Sequence, residues 1–361
     1  MESQAIGQSA VASNAVPPRR ESPLTRRVLL GAAAGYVAAT AVAVAVFGHL
    51  LLSRDVVFVW LMGGLLILSL NNPRRWMRGM IVDWLPFIVF LFAYDYARSI
   101  ADTTGFGTHY HPPIDVDHFL FGTPIPTIWL QHHFYHPPHA AVYDYAAWVV
   151  YLTHFFGTLT LAAILWRFAY PLFKKWRTLV IWVSVAGFTT YVLFPAAPPW
   201  LAAKRDLIGH IEKIKDQMFS HTGTKAITSA VENKWVDQVA AVPSLHAAFP
   251  LMMMLLFWHK GWRWRIPFGL YAFAMGLTLV YTGEHYVSDV LLGYTYALVV
   301  FGAVSLYWRW RDARSPAAAP DAEAAAATTA AHSPAPSGAS APEPVTYSVG
   351  PASPSGRRRT G

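Results

Sequence analysis

Long apolar runs separated by short polar connectors dominate the chain as far as Trp308. They fall at Val28–Leu52, Val56–Leu70, about Ile81–Arg98, Tyr143–Phe168, Thr178–Pro195, Pro243–Trp258, Ile266–Tyr281 and His285–Trp308. The runs are continuously apolar rather than alternating, which predicts helices and argues against a membrane β-barrel. Most suit a hydrocarbon layer of roughly 30 Å. Val28–Leu52 is too long for a signal-peptide core and has no A-x-A cleavage site in place, so it reads as a retained first span. Two stretches break the pattern. Ile100–His139 is rich in Pro, Gly, aromatics and His, and its part from Asp115 to Tyr135 is expected to be an interfacial helix or re-entrant element. Leu201–Val242 is a polar loop of mixed charge, and from Arg314 onward the chain is Ala, Pro, Ser and Thr, a composition that cannot build a core. The expected fold is an all-α, polytopic membrane helical bundle of about eight spans. Its organisation is an N-terminal segment over 1–27, two spans over 28–79, a main membrane domain over 80–312 and a disordered tail over 313–361.

Composition sharpens this. The 361 residues are 54% hydrophobic and only 13% charged, against about 25% charged in soluble domains, which excludes an ordinary soluble enzyme. Cysteine is absent, excluding disulfides, thiolate zinc sites and thiol catalysis. The net charge of +8 raises nucleic acid as a partner, but its distribution removes that reading. The N-terminal pairs Arg19-Arg20 and Arg26-Arg27 are basic, as are three connectors: Arg74, Arg75 and Arg78; Lys174, Lys175 and Arg177; Lys260, Arg263 and Arg265. The last span ends in Arg309, Arg311 and Arg314. With eight spans these groups share one side. The positive-inside rule then predicts a multi-pass plasma-membrane protein with both termini cytoplasmic.

The candidate chemistry lies on the opposite side. Two segments place histidines where an outer loop meets a span: Ala241-Val242-Pro243-Ser244-Leu245-His246 and Tyr281-Thr282-Gly283-Glu284-His285-Tyr286-Val287-Ser288-Asp289. His285 and Asp289 are four apart and share a helix face. A carboxylate on one imidazole nitrogen leaves the other free to act as nucleophile or base. Near His246, the start of a helix after Pro243 offers backbone N–H groups, and Ser244 a hydroxyl, to an oxyanion. The set suits phosphoryl transfer: one histidine attacks phosphorus and the other protonates the leaving oxygen, with no metal or cofactor required.

These residues resemble a known family. Pro243-Ser244-Leu245-His246 and His285-Tyr286-x-x-Asp289 are similar to the second and third signature motifs of the type 2 phosphatidic acid phosphatase superfamily. The H-Y-x-x-D form, with Phe194-Pro195-Ala196-Ala197-Pro198-Pro199-Trp200, resembles the branch of inositol phosphorylceramide and sphingomyelin synthases. The resemblance covers roughly residues 80 to 310. It implies a six-helix phosphatase-type core with an extracytoplasmic site, His285 as nucleophile, Asp289 as its partner and His246 as acid/base. It further implies a lipid phosphate or phospholipid substrate, and either water or an alcohol such as inositol as acceptor. The chain departs from the phosphatase pattern at Leu245, where that pattern has Gly, and at Thr278-Leu279, where it has Ser-Arg; the K-x6-R-P motif is missing. Phosphate-binding cations must come from elsewhere, and Arg98, Lys204 and Arg205 are the candidates beside Ser244. A competing reading is a transporter or metal-handling protein that uses His109, His111, His118, His132, His133, His136 and His139 with Asp102, Asp115 and Asp117.

Overall fold

Residues 23–47, 54–68, 73–99, 107–221 and 239–314 are described by a computed structural model, and among them every regular element is helical. Three helices come first: α1 (Pro23–Phe47), α2 (Arg54–Leu68) and α3 (Pro73–Gly79). A π-turn over Met80–Trp84 then leads into α4 (Leu85–Ser99). Two short helices follow, α5 (His111–Phe121) and α6 (Pro126–Phe134). The long helices α7 (Val142–Phe168) and α8 (Tyr170–Leu193) come next, and then the short α9 (Pro199–Ala203) and α10 (Ile214–His221). The chain ends with α11 (Leu245–Leu256), α12 (Trp262–Tyr281) and α13 (Val287–Arg314). It divides into two units, Met1–Trp308 and Arg309–Gly361.

The expected all-α membrane bundle is what the chain forms. Three helical stretches, Trp76–Ala93, Tyr170–Leu193 and Val287–Arg314, are long and apolar enough to cross a membrane; α7 makes a fourth if its halves, bent by 52° between His154 and Phe156, count as one span. Leu30–Val42, Phe58–Ile67 and Leu245–Leu256 are shorter apolar helices. Boundaries differ from the expected runs for physical reasons. α8 begins eight residues before Thr178, because Lys174, Lys175 and Arg177 fit the first turns of a helix opened by Pro171. The expected element at Asp115–Tyr135 is two helices. Gly122, at φ +79, turns the chain between them, and Pro126 restarts it.

The core is aromatic. Trp84, Phe87, Phe173, Trp176, Val180, Val183 and Met252 are fully buried where α4, α8 and α11 meet. The outward faces carry Val89, Phe92, Trp182, Leu193, Leu270, Phe273 and Leu298 exposed, as suits helices solvated by lipid. Asp83, in the π-turn, is buried and saturated. Its Oδ1 accepts from Tyr170 Oη at 3.0 Å and Arg177 Nη1 at 3.2 Å, and its Oδ2 accepts from Trp166 Nε1 at 3.1 Å. That network sits at the N-terminal end of α8. The helix extends about 36 Å for its 24 residues, and the histidines gather beyond its other end.

Candidate active site

The Phe194–Trp200 segment organises that other end. After α8 stops, the extended chain is flanked on both edges. His109 N donates to Pro195 O at 2.8 Å and Ala197 N to His109 O at 2.9 Å on one edge; Ala196 N donates to Val239 O at 2.7 Å and Ala241 N to Ala196 O at 3.2 Å on the other. Pro198 and Pro199 open α9, and Trp200 N then donates to Gly283 O at 3.2 Å. One short stretch therefore fixes the approach to both histidine segments. Tyr191 Oη adds a bond to Pro243 O at 2.7 Å.

Ser244 is fully buried, and its Oγ accepts from Ala247 N at 3.4 Å as the N-cap of α11. Its backbone N donates to Asp289 O at 3.1 Å. The two segments can approach this closely because residue 293 is glycine: a Cβ there would lie 2.2 Å from Ser244 O. α11 and α13 are thus seated backbone to backbone, which sets His246 and His285 with ring centroids 5.6 Å apart.

His285 is buried, and its Nδ1 lies 3.4 Å from Asp289 Oδ2. That contact is longer than an ordinary hydrogen bond. Asp289 Oδ2 also accepts from Tyr286 N at 3.0 Å. Asp289 Oδ1, His285 Nδ1, Glu284 Oε1 and Tyr286 Oη are buried with no hydrogen bond, a concentration of unsaturated polar atoms that native cores avoid.

Four contributors were not assigned to this site from the sequence. His154, at the bend of α7, packs its ring 3.8 Å from that of His246, and Tyr151, one turn earlier, stacks on His246 at 5.9 Å. An ionisable residue inside an apolar run is a signal that could have drawn attention to His154. Lys215 of α10 is buried and pairs with Glu284 Oε2 at 3.2 Å; nothing local in the polar loop marks it. Asp117 of α5, fully buried, accepts from Val287 N at 3.0 Å and Ser288 N at 2.9 Å. It caps the helix that carries Asp289, where a carboxylate complements the helix dipole.

The described part of the His-rich segment packs on the stretch around α10 and on the end of α12. Gln131 of α6 donates to Glu212 O and Tyr281 O and accepts from Glu212 N, each at 2.9 Å. Tyr135 Oη donates to Gln217 Oε1, and burial pushes the Tyr135 hydroxyl up to about 12, so it stays a neutral donor. His109 packs on Phe194, and His133 stacks on Trp129 at 4.3 Å. His111, His132, His136 and His139 are exposed. Among the described residues no three His, Asp or Glu side chains come together as a metal site; Asp102 lies outside them. Of the expected phosphate ligands, Lys204 is exposed with Nζ 4.8 Å over the Trp200 ring, and Arg205 is exposed 4.6 Å over Tyr110. Arg98 falls in the last turn of α4, and its side chain lies outside the described residues.

Comparison with known proteins identifies relatives of the chain. A family model described as the PAP2 superfamily matches residues 114–303. The phosphoinositol dihydroceramide synthase of Bacteroides thetaiotaomicron is 26% identical over 240 residues, covering 62% of this chain and 75% of that protein. The inositol phosphorylceramide synthase catalytic subunit aur1 of Schizosaccharomyces pombe is 28% identical over 173 residues, 45% of this chain and 40% of its own. The inositol phosphorylceramide synthase of Candida albicans is 26% identical over 175 residues, 44% and 36% respectively. The chain thus spans well under half the length of the two fungal relatives. No solved structure matches.

Proposed function

The chain belongs to the PAP2 superfamily, a family of membrane phosphatases and phosphotransferases, and from that premise we propose that it transfers a phospho-head group between lipids through a histidine nucleophile. The observation that carries the reading is the His285–Asp289 pair at the start of α13 with His246 5.6 Å away. Asp289 faces Nδ1 of His285, which leaves Nε2 to attack. Nε2 bonds to the phosphorus of a lipid phosphodiester while the bond to the lipid alkoxide breaks, and His246 gives that alkoxide its proton. An acceptor hydroxyl then returns a proton to His246 and attacks phosphorus, and His285 leaves. Asp289 stabilises the imidazolium in between. The reacting atoms must sit within ~3–3.5 Å of each imidazole, which the backbone approach at Gly293 supports.

The names of the relatives suggest the groups involved. A phosphoinositol dihydroceramide is phosphoinositol joined to a lipid alcohol, so the acceptor proposed here is the hydroxyl of a ceramide-type lipid and the donor an inositol phospholipid. Free inositol and water are the other acceptors. Incubating purified protein with the donor and each acceptor in turn, reading new lipid against free phosphate or phosphoinositol, decides among them. New sphingolipid only with the ceramide supports the reading; release of phosphoinositol into water alone makes the protein a phosphodiesterase. The site is assigned to the extracytoplasmic face, opposite the basic connectors. Since the chain has no cysteine, His132→Cys should react with an impermeant thiol reagent on intact cells and Lys175→Cys should not.

A further inference from the structure

The geometry points to Lys215 as the cation that holds the transferring phosphoryl group, parked on Glu284 until the donor arrives; the inference rests on the phosphotransfer reading above. The Lys215 ammonium is buried, 3.2 Å from Glu284 Oε2 and 3.4 Å from Tyr151 Oη. Those two partners lead to the two histidines. Tyr151 stacks on His246, and Glu284 is the residue before His285. The ammonium is thus held between a residue that packs on His246 and the residue that precedes His285.

Burial makes this placement costly. Removing an ammonium and a carboxylate from water costs several kcal/mol for each ion, and a well-packed apolar pair fastens two segments at least as well. α10 already has apolar anchors in Ile214 and Met218, both buried against Tyr135 and Tyr281. The pair is also incomplete, because Glu284 Oε1 is buried without a hydrogen bond. A phosphoryl group in transfer spreads negative charge over three equatorial oxygens and needs fixed positive charge beside them. The positions that carry Ser-Arg in the phosphatase pattern are Thr278 and Leu279 here, and both are buried. Lysine suits the task, being a compact charge on a flexible stem that can move between a carboxylate and an incoming phosphate.

Orthovanadate, which mimics a five-coordinate phosphoryl group, tests this by vanadium NMR titration of the purified full-length protein. Wild type should bind it, and Lys215→Met should weaken binding roughly tenfold or more, as expected for loss of a charge-assisted contact. Lys215→Arg should recover part of that loss. Glu284→Gln should bind as tightly as wild type or more tightly, because the ammonium is released from its carboxylate. The double variant K215M/E284Q leaves no unpaired buried charge, so it tests binding even if Lys215→Met fails to fold, and it should bind as weakly as that single variant. Wild-type affinity in either variant lacking Lys215 overturns the assignment. So does an equal loss in Lys215→Met and Glu284→Gln, which would make the pair a fastener. A wild type that does not bind vanadate overturns the phosphotransfer reading itself.

Discussion

Two buried charge clusters lie toward opposite ends of α8, and they are built differently. Around Asp83 both carboxylate oxygens accept hydrogen bonds, from Tyr170, Trp166 and Arg177, and the Arg177 guanidinium also bonds the Asp83 carbonyl at 3.1 Å. Around Asp289 the arrangement is unsaturated: one carboxylate oxygen has no hydrogen bond, Glu284 has a bare oxygen, and the His285 contact is long. A saturated network in low dielectric rigidifies a fold, whereas buried polar groups left short of partners are costly and persist where they meet a substrate. Under the proposed function the first cluster is structural and the second chemical.

The largest expected effects come from breaking each cluster once. His285→Ala should lower turnover at least about a thousandfold, and Asp289→Asn about a hundred- to ten-thousandfold, with thermal stability nearly kept. Arg177→Met should do the reverse, since stranding the buried Asp83 costs about 3 kcal/mol; Tm falls while kcat of the folded protein holds. A turnover loss in Arg177→Met matching that of His285→Ala would erase the distinction. Next in size is Gly293→Ala. Its Cβ cannot coexist with Ser244 O at 2.2 Å, so α11 and α13 must separate, and a shift near 1 Å at the histidines should cost about a hundredfold in kcat. Unchanged kcat there would mean the backbone approach does not set the pair. The smallest effect belongs to Asp117→Asn, which weakens the cap on Val287 and Ser288. About 1 kcal/mol of stability and a several-fold loss in kcat are expected, measured as parallel changes in Tm and kcat.

What the sequence revealed was local. His285 and Asp289 are four residues apart, and Pro243-Ser244 marks a helix start, so spacing alone exposes them, although His285 stands two residues before α13 begins rather than on it. The helical, membrane-bound character follows equally from continuous apolar runs. Span ends were less legible, because Lys174, Lys175 and Arg177 look like a connector until Arg177 is seen to pair with Asp83 inside the bundle. Lys215, His154 and Asp117 were not legible as parts of the site. Each reaches it across a long stretch of chain: Lys215 from the polar loop to Glu284, Asp117 from the His-rich segment to Val287. The same histidines that suggested a metal site belong to the segment that carries Asp117 and Gln131. Only tertiary packing separates those roles.

The central claim is that His285 carries the phospho-head group between donor and acceptor. Rapid alkaline quenching of the wild-type protein during turnover of a donor lipid labelled in its phosphate, followed by peptide mapping, tests it most directly. The account predicts an acid-labile label on the peptide containing His285, absent from the His285→Ala protein. Label on a different residue, or undiminished turnover by His285→Ala, would contradict it.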